Sequence, residues 1–156
     1  MNPLAFEFAV RDLMVRDGID ARQVGGRGDK AADVIGHDER GYRIVVQCKH
    51  TTTGGKVGAP VIYQVNGTAG PAHGADVAVV VTNGSFTQGA QDSAAQFRIH
   101  LVDRHALQRW ATDGVPLQRL LGLSTPLRFR RRLLHTATRL MRPHTKPLLA
   151  DSQEVA

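Results

Sequence analysis

The chain has 156 residues, 42% of them apolar and 22% charged, the balance of one globular domain with a core of its own and too short for two full domains. No apolar run approaches the roughly 18 residues of a membrane span, and the start, Met-Asn-Pro-Leu-Ala-Phe-Glu, lacks the basic-then-apolar pattern of a signal peptide, so a cytoplasmic protein is expected. The net charge is +6 and there is a single cysteine, Cys48, which excludes an internal disulfide and leaves a thiolate zinc site little to build on.

Asn2 is placed to cap a helix with Pro3 at its first position, and Phe6, Ala9, Val10, Leu13 and Met14 form an apolar stripe at helical spacing that stops at Gly18. Glu7 lies beside that stripe; it is either a first-turn glutamate favoured by the helix dipole or a group turned into a site. Residues 19–24 read as a short strand. The loop Gly25-Gly26-Arg27-Gly28-Asp29 has neither GxGxxG nor GxxxxGK[ST] spacing, so it reads as a tight connection that lets backbone approach a partner. The runs 32–35 and 42–48, joined by Asp38-Glu39-Arg40-Gly41, predict a hairpin. A polar loop, 51–56, follows. Residues 59–69 carry a helical pattern stopped by Gly70-Pro71, and 77–82 is an apolar run of strand length, suited to burial on both faces.

Beyond the turn Asn83-Gly84, Ser85 and Gln88 make a capping box for a helix to about residue 96. Residues 99–102 read as a strand, and Asp103 caps a helix over 106–111. Strands separated by single helices become parallel neighbours, so this order predicts an α/β fold: a central mixed sheet with helices on both sides. A domain over 1–114 and a C-terminal extension over 115–156 are expected. Residues 1–118 hold twelve Lys or Arg against twelve Asp or Glu, whereas residues 119–146 hold eight against none. In that extension Arg128, Arg130, Arg131 and Arg132 share a helical pattern with a leucine face. Three readings fit it: a solvated helix packed by its leucines, a clamp on the DNA backbone, or a helix on a membrane surface.

Within the hairpin, Gln47 and Lys49 are two apart and project to one face, and the paired strand can bring Asp33 beside them. An aspartate with further oxygen ligands binds Mg²⁺. A neighbouring lysine orients or deprotonates water and stabilises charge building on a phosphate, so the set suits phosphodiester hydrolysis, although a strand-edge aspartate with a surface lysine has the same spacing. His50 adjoins the set as a phosphate contact or a solvated loop histidine. Lys56 lies in the loop leaving it. Cys48 alternates with the site residues and is expected in the core. The seven histidines show no HxxxH spacing.

Taken together, Gly28-Asp29-Lys30-Ala31-Ala32-Asp33-Val34-Ile35, Val45-Val46-Gln47-Cys48-Lys49-His50, Val81-Thr82-Asn83-Gly84-Ser85-Phe86-Thr87 with Ala90, and the stretch 99–107 resemble the nuclease domain of Mrr-like restriction endonucleases, a branch of the PD-(D/E)xK superfamily. The resemblance spans residues 4 to 110 or so. It implies a restriction-endonuclease-like three-layer fold and cleavage of double-stranded DNA with Mg²⁺, Mn²⁺ being a substitute. By the same resemblance, Asp33 is the metal-binding acid, Gln47 stands where most of the superfamily has an acid, Lys49 is the motif lysine, and Glu7 is the first-helix glutamate. Metal would then rest on Asp33, Gln47 and Glu7, and DNA on His50, Lys56 and the four arginines. The chain has Ala31 where the family often has glycine.

The expected function is a Mg²⁺-dependent endonuclease in restriction or defence, acting without a small-molecule cofactor and compatible with a homodimer. A structure-selective repair or recombination nuclease, and a DNA-binding module with a weakened nuclease centre, are the alternatives.

Overall fold

In the computed structural model, which describes residues 1–26, 28 and 30–123, helix α1 (Pro3–Arg16) begins at the expected cap. Asn2 Oδ1 accepts the Ala5 N–H at 2.7 Å and Pro3 occupies the first turn. The helix buries Phe6, Val10 and Met14, spaced to fall on one face. Three antiparallel strands follow, β1 (Asp20–Gln23), β2 (Val34–His37) and β3 (Arg43–Lys49). The chain then alternates: β4 (Lys56–Val57), α2 (Ala59–Thr68), β5 (Val77–Thr82), β6 (Ser85–Phe86), α3 (Gln88–Phe97), β7 (His100–Val102), α4 (Arg104–Ala111) and the short α5 (Leu117–Leu120).

Among the described residues the main sheet has the order β1-β2-β3-β5-β7, antiparallel on the β1 side and parallel from β3 onward. β4 and β6 form a separate two-residue parallel ladder. Strand alternation divides the core in two. Ile44, Val46 and Cys48 of β3 and Val77, Val79 and Val81 of β5 face α1, Trp110 of α4 and Leu117 of α5. Val45 and Val80 face α2 and α3, where Ile62, Val65, Ala90 and Ala94 pack. The apolar run 77–82 is thus buried on both faces, as expected of a parallel central strand, and the three-layer α/β architecture is established.

Two local devices set the geometry of the sheet. Gly36 on β2 lies so close to α1 and the link that follows it that a Cβ there would stand 2.6 Å from Ile19 Cγ2 and 2.8 Å from Met14 Cε, so a side chain at this position would push both away. The hairpin turn is closed by Asp38, whose Oδ1 accepts the N–H groups of Arg40 (2.9 Å) and Tyr42 (3.0 Å), while its Oδ2 pairs with the Arg40 guanidinium at 2.7 Å. This turn fixes the register Val34–Val46, which puts Asp33 opposite Gln47.

Two expectations change. Residues 32–33 precede the strand, which starts at Val34, because β1 ends at Gln23 and the ladder ends with it. Ser85 is not the cap of α3: it pairs with Lys56 in the small ladder, its N–H donates to Gly55 O at 3.2 Å, and Thr87 Oγ1 caps the helix by accepting the Ala90 N–H at 3.1 Å. Residues 117–123 pack against the same unit as the sheet. Leu117 is fully buried and its N–H donates to Asp17 Oδ2 at 2.9 Å, an oxygen that also accepts the Trp110 indole N–H at 2.6 Å. The arginine-rich stretch carrying Arg128, Arg130, Arg131 and Arg132 lies outside the described residues. Among the described residues no helix is long and apolar enough to cross a membrane.

Replacing Asp38 by alanine removes two backbone acceptor contacts and leaves the mostly buried Arg40 guanidinium without its carboxylate. Urea unfolding of Asp38→Ala is expected to show a loss of about 3 kcal/mol.

Candidate active site

Asp33 stands immediately before β2 and is held by its backbone from both sides. Its N–H donates to Val46 O at 2.9 Å, and its carbonyl accepts the N–H groups of Val24 (2.8 Å) and Gly25 (3.2 Å). The side chain is buried, with 4% exposure, so the carboxylate has lost nearly all its water. Two donors from β3 replace that hydration on Oδ2: the Cys48 backbone N–H and the Gln47 Nε2 amide, each at 2.7 Å.

Glu7 reaches the same place from α1. An ideal Cβ on Gly25 would stand 2.6 Å from Glu7 Oε2, 3.0 Å from Asp33 Oδ1 and 3.1 Å from Gln23 Nε2. The two carboxylates therefore converge on the face of one glycine, no further apart than those first two distances laid end to end. Gln23 completes the group, donating Nε2 to Glu7 Oε2 at 2.7 Å and to Gly25 O at 3.2 Å. By strand alternation Gln23 shares the α1 side of the sheet with Ala21, whereas Gln47 and Lys49 share the opposite side with Val45. The acids thus meet around the end of the sheet.

Gln47 is 7% exposed, and its Oε1 is buried with no hydrogen-bond partner among the described residues. A buried amide oxygen without a donor is an unmet acceptor, able to take a cation or a water. Lys49 ends β3 beside Thr82 of β5, half-buried, and its ammonium pairs with no carboxylate among the described residues. Cys48 points the other way, into the α1 core, as its alternation predicted; burial, then the charges of Asp33 and Glu7, push its thiol well above its ordinary pKa, so it is no nucleophile. Among the described residues no group of three or more His, Cys, Asp or Glu could hold a metal ion. Two carboxylates and an amide oxygen are what remains, within the one or two carboxylates that Mg²⁺ commonly takes.

His50 is half-buried and packs its ring on Phe6, with centroids 5.6 Å apart. Lys56 is exposed on β4. The loop before Asp33 runs through the left-handed region at Gly28 (φ 80°), Lys30 (φ 49°) and Ala31 (φ 59°), which gives a physical reason for glycine being frequent at the position of Ala31. Thr51 and Asn83 tie the ends of the β3 and β5 loops together: Asn83 Oδ1 accepts the Thr51 N–H and Asn83 Nδ2 donates to Thr51 O, both at 2.7 Å. Gln23 and this pair went unread in the sequence, since an amide on an edge strand and an Asn-Gly turn have no local signature of such contacts.

Gly25→Ala forces one neighbour to move. Asp33 is pinned on both backbone and side chain, so Glu7, the free end of a flexible chain, gives way. The expected result is a crystal structure with Glu7 swung out from Asp33 and an unfolding free energy within about 1 kcal/mol of the parent.

Residues 1–111 match the Mrr_cat family model, described as restriction endonuclease. No curated protein resembles the chain closely enough to count as a match. Among solved structures it is similar to AF1548, a protein of unknown function, with 16% identity, a TM-score of 0.56, and coverage of 89% of this chain and 98% of that one. It is similar also to the DNA modification-dependent restriction endonuclease AspBHI, with 19% identity, a TM-score of 0.53, and coverage of 88% of this chain and 36% of that one. A third is the MspJI restriction endonuclease in complex with a 27-mer oligonucleotide, with 21% identity, a TM-score of 0.50, and coverage of 76% and 31%. These likenesses are of fold, and the chain spans about a third of the length of the two restriction enzymes. The sheet order, the three layers and the family match over most of the sequence agree, and the chain belongs to the Mrr-type restriction endonuclease family.

Proposed function

We propose that this protein is a divalent-metal-dependent endonuclease that hydrolyses phosphodiester bonds of double-stranded DNA, in the setting of restriction of foreign DNA in the cytoplasm. The observation that carries this reading is the convergence of the Glu7 and Asp33 carboxylates over Gly25, beside a Gln47 oxygen that has no hydrogen-bond partner among the described residues. Family membership supports nuclease chemistry. In this reading Asp33, Glu7 and Gln47 hold Mg²⁺, or Mn²⁺ in its place. The bound ion supplies Lewis-acid polarisation of a phosphate oxygen and a lowered pKa for water.

The remaining work falls to the chain. Asp33 supplies an anionic oxygen fixed by the strand, Glu7 a second one from the helix, and Gln47 a neutral donor oxygen once its amide turns. Lys49, at the carboxyl end of β3 and without a carboxylate partner among the described residues, orients the attacking water and offsets the charge that builds as water adds to phosphorus and the ester oxygen leaves. The carboxyl ends of β3, β5 and β7 lie along one edge of the sheet, the edge at which open α/β sheets bind ligands, and in this reading Lys56 and His50 contact backbone phosphates there. Arg128, Arg130, Arg131 and Arg132 are proposed to add sequence-independent affinity. The catalytic set lies within residues 1–114, with the basic extension beyond it. A second copy of the chain would serve the second strand.

Plasmid DNA, methylated and unmethylated, incubated with Mg²⁺ or Mn²⁺ is expected to be cut by the parent protein and left intact by Asp33→Ala and Lys49→Ala, both still folded by circular dichroism. Cleavage by either variant at the parental rate would remove the assignment, and binding without cleavage by the parent would instead favour a DNA-binding module with a weakened centre. Gln47→Glu places a third charge beside Asp33 and is expected to tighten Mn²⁺ binding in calorimetry by at least about tenfold.

A further inference from the structure

The metal reading leaves open what keeps Glu7 beside Asp33. Two carboxylates that face one another in a partly buried site repel, and Glu7 sits on a flexible side chain at the margin of the core, free to swing into water. Only one side chain among the described residues donates a hydrogen bond to it: Gln23, through Nε2 at 2.7 Å from Oε2. The same nitrogen donates to Gly25 O at 3.2 Å, so both amide protons are committed to acceptors and the amide cannot turn over without setting its oxygen against two others. The next two residues, Val24 and Gly25, donate their N–H groups to Asp33 O. The end of β1 therefore fixes one acid by a side chain and the other by its backbone.

From this geometry we infer that Gln23 is the positioning residue for Glu7: it holds the carboxylate in place for the cation without neutralising it. The inference rests on the metal reading above. A lysine or arginine at position 23 would hold Glu7 equally well, but would cancel the charge that attracts the cation. A glutamine supplies the donor and leaves the charge. Gly25 is the necessary counterpart, because any side chain there would occupy the space in which the held carboxylate lies.

The test has a metal-free arm and a metal arm, both on the full chain. In ¹H–¹⁵N spectra without metal, the Gln23 side-chain amide signal is expected to move when Glu7 is replaced by alanine; a signal that stays in place overturns the inference. In calorimetry with Mn²⁺, Gln23→Leu is expected to weaken binding about ten- to hundredfold, the usual range for groups that orient metal ligands. In a Glu7→Gln background the same change should have no further effect, since Gln23 acts through Glu7. Equal losses in both backgrounds would reveal a general structural role and overturn the inference, as would Gln23→Leu binding Mn²⁺ like the parent. A parent protein that binds no Mn²⁺ at all overturns the metal reading itself, and with it the purpose given to Gln23.

Discussion

A buried carboxylate must recover from the protein the hydration it has lost, and in this molecule that requirement fixes most of the site. Asp33 is desolvated by the sheet around it, yet one of its oxygens is satisfied by two donors from a single stretch of β3, the Cys48 N–H and the Gln47 amide. Both donors depend on the β2–β3 register, and the register depends on the Asp38 turn, which touches neither Asp33 nor Gln47. The turn, the ladder and the carboxylate form one chain of dependence.

Gln47 is where the energetic compromise lies. An acid in its place would add a third negative charge to a partly buried cluster that already holds Asp33 and Glu7, favouring a cation strongly but straining the metal-free protein by like-charge repulsion. Glutamine instead donates to Asp33, stabilising the charge already present, and leaves its own oxygen buried and unmet. The arrangement gives a well-ordered acid without metal at the cost of weaker attraction for one.

The site is also divided between the two sides of the sheet. Glu7 and Gln23 lie on the α1 side and Gln47 and Lys49 on the side of α2 and α3, and Asp33 joins the two where the sheet ends, beside Glu7 at Gly25 and bonded to the Gln47 amide. Two glycines make this geometry accessible. Gly36 lets α1 settle onto β2, and Gly25 leaves room for the carboxylates. Beyond the sheet, the Thr51–Asn83 amide contacts bind the loops after β3 and β5 into one rim.

The sequence by itself determined what depends on neighbours in the chain. The caps at Asn2 and Asp103, the Asp38–Gly41 turn, the doubly buried run 77–82 and the alternation of Gln47, Cys48 and Lys49 all follow from periodicities and turn chemistry that act over a few residues. The α/β order of elements followed from the same signals, and the family resemblance was carried by motif residues close together in sequence. Only the tertiary structure decided the rest. The pairing of Ser85 with Lys56 moved the α3 cap to Thr87, because a two-residue ladder between distant segments has no periodicity to read. Gln23 was unremarkable as a residue on an edge strand, and its contact with Glu7 spans 16 residues and two elements. Such contacts are set by how closely α1 packs on the sheet, a distance governed by side-chain volumes and by the glycines at positions 25 and 36, which no local pattern of the chain encodes.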